Sequence, residues 1–293
     1  VETDLFFAEI SSRGGDIVRL TLKKHLGTED KKTNFMLFEE GGKHVYLAQS
    51  GAIGEGLPNH RTTWRLVSEE TQLKAGEDRL LISLEADLSD GKKVVKTYTF
   101  HRGRYLIDVR QTGLPGGAYA YYQFTRDGKP AEGHHNPMMV GVATFTGPAV
   151  FTEAGKFQKV QFQDIAKAQA KFVAKAQDGW LAMVQHYFVA AWLPATGVAR
   201  EFYMRQVGAD LYATGIIVPV GADGSMNTLG ARVQAARGAD FVLSVHHDST
   251  HEHFLQPWVH DNVERRHAPG RFAGFSIFVS RKNPQAEASL ACA

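Results

Sequence analysis

The chain has 293 residues, and its 33 Lys and Arg against 31 Asp and Glu leave a formal charge of +2. That balance excludes a large basic surface for nucleic acid and an acidic tail. With 43% hydrophobic and 22% charged residues the chain has ordinary globular composition and enough apolar side chain for a sizeable core, while a single cysteine, Cys292, excludes an internal disulfide framework and a Cys-rich zinc module.

The first residues, VETDLFFAEISSRGGD, have neither the basic start nor the apolar stretch of a secretory signal. Leu5 to Ile10 reads as a short strand, and Ile17 to Leu22 alternates as another. Arg13-Gly14-Gly15-Asp16 between them has turn chemistry, since glycine accepts positive φ. Arg79 to Asp87, Lys93 to His101 and Tyr105 to Arg110 are further strands, punctuated by Ser89-Asp90-Gly91 and Arg102-Gly103-Arg104 as hairpin turns. Ala118 to Phe124 is aromatic and β-prone. Phe162 to Ala176 reads equally as strand or short helix. Gly179 to Leu193, Glu201 to Val207 and Leu211 to Val220 complete the series. The apolar run Trp180 to Leu193, broken by Gln185 and His186, is too short to cross a bilayer as a helix, so the chain is expected to be soluble. Strands at this spacing with Gly-rich turns predict a mainly β protein, a large β-sandwich.

The grammar changes near Gly221 to Met226. Residues 1–222 hold 15 of the 16 Lys, and the remainder holds only Lys282 but six of the 13 His. Thr228 to Arg237 looks helical from its Ala and Arg, with Gly238 as a stop, and Phe241 to Val245 and Phe275 to Val279 look like apolar strands. Two parts are therefore expected: a β-sandwich over 1–221 and a short α/β fragment over 222–293.

Several stretches carry a resemblance. Val1 to Asp4, Ser12 to Asp16, Tyr46 to Gly51, Thr97 to Gly103, Thr144 to Pro148, Phe157 to Phe162 and above all Gly179 to Pro194 resemble, in order, the periplasmic domain of the bacterial membrane protein insertase family YidC. The resemblance implies a supersandwich of the galactose-mutarotase-like kind. It implies an accessory, non-enzymatic role on the periplasmic side of the inner membrane, with Sec translocon components and nascent membrane proteins as partners. The segment Gln111 to Ala118 is shorter and richer in glycine than the family's hairpin, and the resemblance stops after Ile216 to Gly221. The end of the sandwich, the linking helix and the transmembrane helices are therefore expected to be missing.

Residues 228–293 resemble instead a piece of a zinc-dependent N-acetylmuramoyl-L-alanine amidase, through Ala236 to Asp248 and Gly274 to Ser280. That family has a zinc-ligand His at the end of a strand, and His246 occupies the position. The family's other ligands and its catalytic Glu have no counterpart, so zinc is expected only if this fragment is functional, and otherwise no cofactor. His247, His251, His253, His260 and His267 extend a His-rich stretch whose plain reading is a polar loop; imidazoles binding a divalent metal are the chemical alternative.

Elsewhere the plain readings prevail. Ser12 to Asp16 lacks the Lys-Ser/Thr of a phosphate loop and reads as a turn. Trp180, Tyr187, Phe188 and Trp192 read as core. His101, His134, His135 and His186 have no Ser, Cys or Asp partner at a recognised spacing. A carbohydrate-binding sandwich is the remaining alternative, by fold analogy alone, and no carboxylate pair in 1–221 is marked for acid–base work.

Overall fold

In a computed structural model the described residues are 1–27, 32–42, 44–129, 145–185, 188–195 and 197–221, together with the backbone of three later strands. The chain divides into two compact units, Val1–Val233 and Gln234–Ala293.

In the first unit the strands are β1 (Phe6–Ile10), β2 (Ile17–Leu26), β3 (Asn34–Phe38), β4 (Tyr46–Ile53), β5 (Arg65–Leu66), β6 (Arg79–Asp87), β7 (Lys93–His101), β8 (Leu106–Thr112) and β9 (Tyr119–Asp127). There follow β10 (Gly147–Thr152), β11 (Lys156–Lys159), helix α1 (Phe162–Ala166), β12 (Lys175–Ala176), β13 (Trp180–Val184), β14 (Phe188–Leu193), β15 (Arg200–Gly208), β16 (Leu211–Pro219) and β17 (Leu229–Ala235). The first sheet runs β1-β2-β4-β9-β16-β15-β12, with β3 also on β2; the second runs β11-β10-β13-β14-β17-β8-β7-β6-β5. This is the β-sandwich that the strand spacing predicts.

The packing follows from period-two patterning. In β6 and β7 every second residue is buried, which places Leu80, Ile82 and Leu84 beside Val94, Tyr98 and Phe100 in the interior. Between the sheets, Trp192 of β14 lies against Tyr122 and Phe124 of β9, with ring centroids 5.3 and 5.4 Å away. Trp192 and Phe188 are buried, as their aromatic character predicts, while Trp180 is half-buried against Phe151. Tyr187 lies outside the described residues. The run expected as one element from Gly179 to Leu193 is the hairpin β13–β14, closed by the Gln185 N–H donating to the Phe188 carbonyl at 2.8 Å. The undecided segment Phe162 to Ala176 starts as α1 and ends as β12.

One expectation is reversed. Within the stretch expected to be helical, Leu229–Ala235 is β17, antiparallel to β8, with Leu229 opposite Val109 and Ala231 opposite Ile107. Its Ala and Arg favour helix by only a few tenths of a kcal/mol each. Between β14 and β8 it gains ladder hydrogen bonds, and Leu229, Ala231 and Val233 already alternate with more polar residues. The second sheet therefore continues beyond residue 221, where the sequence places the boundary.

The second unit contains a hairpin of β18 (Gln256–His260) and β19 (Val263–His267), where the sequence suggested a loop. Phe241 to Val245 and Phe275 to Val279 lie outside the described residues.

Candidate functional site

The Ser12 to Asp16 turn anchors a buried ionic cluster. Gly14 has φ +82°, and a Cβ there would stand 2.7 Å from the His60 carbonyl, so the turn requires glycine. Asp16 follows with its side chain 2% exposed, and Lys96 of β7 reaches it from the opposite sheet at 3.4 Å, fully buried. The Lys96 ammonium also donates to the carbonyls of Gly14 (2.7 Å) and Ser50 (3.0 Å) and lies 4.7 Å from the Trp64 ring centroid. Asp16 accepts from the Ser50 N–H at 3.1 Å and from Gln49 Nε2 at 3.3 Å, and the Tyr98 hydroxyl donates to the Gly15 carbonyl at 2.6 Å. The Asp16 carboxylate is thus satisfied on every side, and the turn predicted from two glycines doubles as a cross-sheet tie.

Burial pushes the Asp16 carboxyl up to about 6, against the pull of Lys96. The native state keeps that proton up to about pH 6, whereas the unfolded chain releases it near 3.8. Between those values the native state binds more protons, so the Asp16 contribution to stability falls as pH rises through this window and is level above it, by about 3 kcal/mol in all. His25 and His60 are lowered by burial and act in the opposite sense near their usual range. Chemical denaturation of the wild type and of Asp16→Asn between pH 4 and 7 isolates the term: the stability difference between them is expected to shift in favour of the variant as pH rises.

From this cluster a hydrogen-bonded row crosses the outer face of the first sheet. Gln49 of β4 accepts from Gln123 Nε2 (2.9 Å) and from the Thr125 hydroxyl (2.6 Å), and Gln123 accepts from the Tyr203 hydroxyl (2.7 Å). The row is possible because strand register brings Gln49, Gln123, Gly215 and Tyr203 abreast on β4, β9, β16 and β15. A Cβ on Gly215 would meet the Tyr203 hydroxyl at 2.5 Å, so the missing side chain lets the tyrosine lie across the sheet. One row along, the Tyr121 hydroxyl accepts from the His60 N–H at 3.0 Å and faces His60 Nδ1 at 2.5 Å. Burial lowers His60, which keeps its imidazole neutral near pH 7, and raises Tyr121 and Tyr203 well above the usual phenol range. The face is therefore rigid and neutral in its centre, with hydroxyls and amides spent on one another. Arg13, Arg61 and Arg205 stand exposed around it.

The sequence-derived sites fare differently. His246, His247, His251 and His253 lie outside the described residues, as do His134, His135 and His186. His260 and His267 are in the β18–β19 hairpin, opposite Val263 and Gln256 respectively. His101, which has no Asp at a recognised catalytic spacing, pairs with Asp108 across β7–β8: Asp108 Oδ2 lies 2.7 Å from its Nε2. Spacing rules tuned to catalytic motifs overlook a pair made by hairpin geometry. Among the described residues no group of three His, Cys, Asp or Glu side chains could hold a metal ion.

The family model of the YidC periplasmic domain matches residues 1–233. A membrane protein insertase YidC of Aromatoleum aromaticum is 58% identical over 227 residues, covering 76% of this chain and 41% of the relative. Those of Dechloromonas aromatica and Nitrosomonas europaea are 47% and 45% identical, covering 83% and 75% of this chain and 47% and 36% of the relatives. The chain thus spans less than half the length of these relatives. The amidase-like reading of residues 228–293 gains no support: its opening element is β17, and the matching family takes in Leu229 to Val233.

Proposed function

We infer, for a chain that belongs to the YidC periplasmic domain family, that it serves as the accessory, non-catalytic module of a membrane protein insertase. The domain lies on the periplasmic side of the inner membrane. The observation that carries the reading is the family match across the whole sandwich, Val1 to Val233, together with relatives named as insertases.

Insertion is a solvation problem. A polypeptide entering lipid must have its backbone polar groups satisfied, at several kcal/mol for each one left bare. Among the described residues no helix is long and apolar enough to cross a membrane. In this reading the sandwich contributes surface: a platform beside the bilayer that engages Sec translocon components and emerging membrane proteins. Its buried charges are consumed by structure, since Asp16 and Lys96 tie the sheets together. This is consistent with a module that works by binding alone.

The test places a photo-crosslinking residue at exposed positions of the first sheet's outer face, with this domain exchanged into a full-length relative. Crosslinks to translocon subunits or to nascent membrane proteins are expected. Crosslinking to neither, in an insertase that still functions, would contradict the reading.

A further inference from the structure

We propose that the outer face of the first sheet docks on anionic phospholipid headgroups of the adjacent membrane leaflet. The inference rests on membership of a periplasmic-domain family beside a membrane, and does not require the translocon or nascent-chain contacts.

Two features of that face carry it. The first is an exposed apolar row. Register places Ile53, Tyr119 and Pro219 side by side on β4, β9 and β16, with Ile53 45% and Tyr119 53% exposed. The second is a set of three exposed arginines. Arg205 lies in the row of Ala213, Thr125 and Leu47, its guanidinium 5.5 Å from the Tyr203 ring centroid. Arg61 sits on the loop whose His60 seats on Tyr121, and Arg13 sits on the turn bridged to that loop through Thr63. The Gly14 N–H donating to the Thr62 carbonyl and the Trp64 N–H donating to the Ser12 carbonyl, both at 2.7 Å, hold the turn and loop together. The electrostatic influence of all three arginines converges on His60.

Around this face exposed arginines meet few free carboxylates; Glu55, two residues beyond Ile53, is exposed. Glu9, Glu2 and Glu201 are already paired with Arg19, Lys23 and Lys175. Among the described residues Arg13, Arg61 and Arg205 have no carboxylate partner. A guanidinium matches a phosphate with two parallel hydrogen bonds. Tyrosine and aliphatic side chains suit the boundary between headgroup and acyl chain. An acidic polypeptide would use the arginines but leave the apolar row in water; a lipid surface uses both, which decides between the two occupants.

The test is co-sedimentation of the 293-residue chain with mixed phosphatidylglycerol–phosphatidylcholine vesicles and with phosphatidylcholine vesicles. Binding is expected only to the anionic vesicles, and is expected to weaken with salt. Each of Arg13→Gln, Arg61→Gln and Arg205→Gln should lower it about fivefold, and the triple variant on the order of a hundredfold. Ile53→Ser/Tyr119→Ser should weaken the binding that persists at high salt. All five side chains are exposed, so thermal melting of the variants should match the wild type and serves as the folding control. Equal binding to both vesicle types, no binding to either, or binding unchanged in the triple arginine variant would overturn the proposal. So would arginine-dependent binding to poly-glutamate with none to the anionic vesicles, which would assign the face to an acidic polypeptide.

Discussion

Lys96→Met is expected to destabilise the first unit by about 3–5 kcal/mol at pH 7 or above, measured by urea denaturation. The substitution removes the charge that, among the described residues, pairs with a carboxylate whose side chain is 2% exposed. It also leaves the Gly14 and Ser50 carbonyls without the Lys96 donor, and takes the cation from the Trp64 ring. The loss should shrink toward pH 5. Without Lys96 the burial effect on Asp16 is unopposed, so its carboxyl holds a proton to a higher pH and the bare charge disappears. Lys96→Met combined with Asp16→Asn should recover part of the loss, because the amide keeps an oxygen for the Ser50 N–H while no ion remains buried. A single-variant loss under 1 kcal/mol, or a double variant worse than the sum of its parts, would show that the pair is not coupled as the geometry implies.

The second large effect concerns where the sandwich ends. A chain stopped at residue 221 lacks β17 and leaves β8 and β14 facing a gap in the middle of the second sheet. Ile107 and Val109 of β8, 1% and 0% exposed, sit opposite Ala231 and Leu229. Removing the strand strips ladder hydrogen bonds from two buried strands at once and opens an edge for pairing with other chains. The 1–221 chain is expected to aggregate or to melt at least 10 °C below a chain stopped at 235, since about 2–4 °C accompanies each kcal/mol at this size. Equal melting temperatures for the two chains would mean that β17 adds nothing to the sandwich.

What was legible in the sequence follows from the range of the interactions. Hairpin strands such as β6 and β7 are written locally: period-two alternation and a Ser89-Asp90-Gly91 turn fix both their ends. The family resemblance rested on contiguous motifs and survives for the same reason. Strands β3, β4, β5, β10 and β11 escaped the spacing argument: β3, β5 and β11 are short, while β4 and β10 are buried on both faces and so do not alternate, and their pairing partners make them strands. The misreading of Leu229–Ala235 has the same origin. Its local composition speaks for helix, and only a gap between two distant strands makes it β. The candidate site was invisible for a further reason: Gln49, Gln123 and Tyr203 are neutral residues far apart in the chain, and nothing but sheet register brings them into one row. The tie between Asp16 and Lys96 is likewise a cross-sheet contact, of which only the glycine turn beside it left a local mark.

The central claim is that the sandwich runs through β17, beyond residue 221. Amide hydrogen exchange of the 293-residue protein, read peptide by peptide, tests it most directly. Slow exchange shared by Leu106–Val109 and Leu229–Arg232, with protection approaching that of the β6–β7 pair, is the predicted result. Rapid exchange at 229–232 while the remainder of the second sheet stays protected would contradict it.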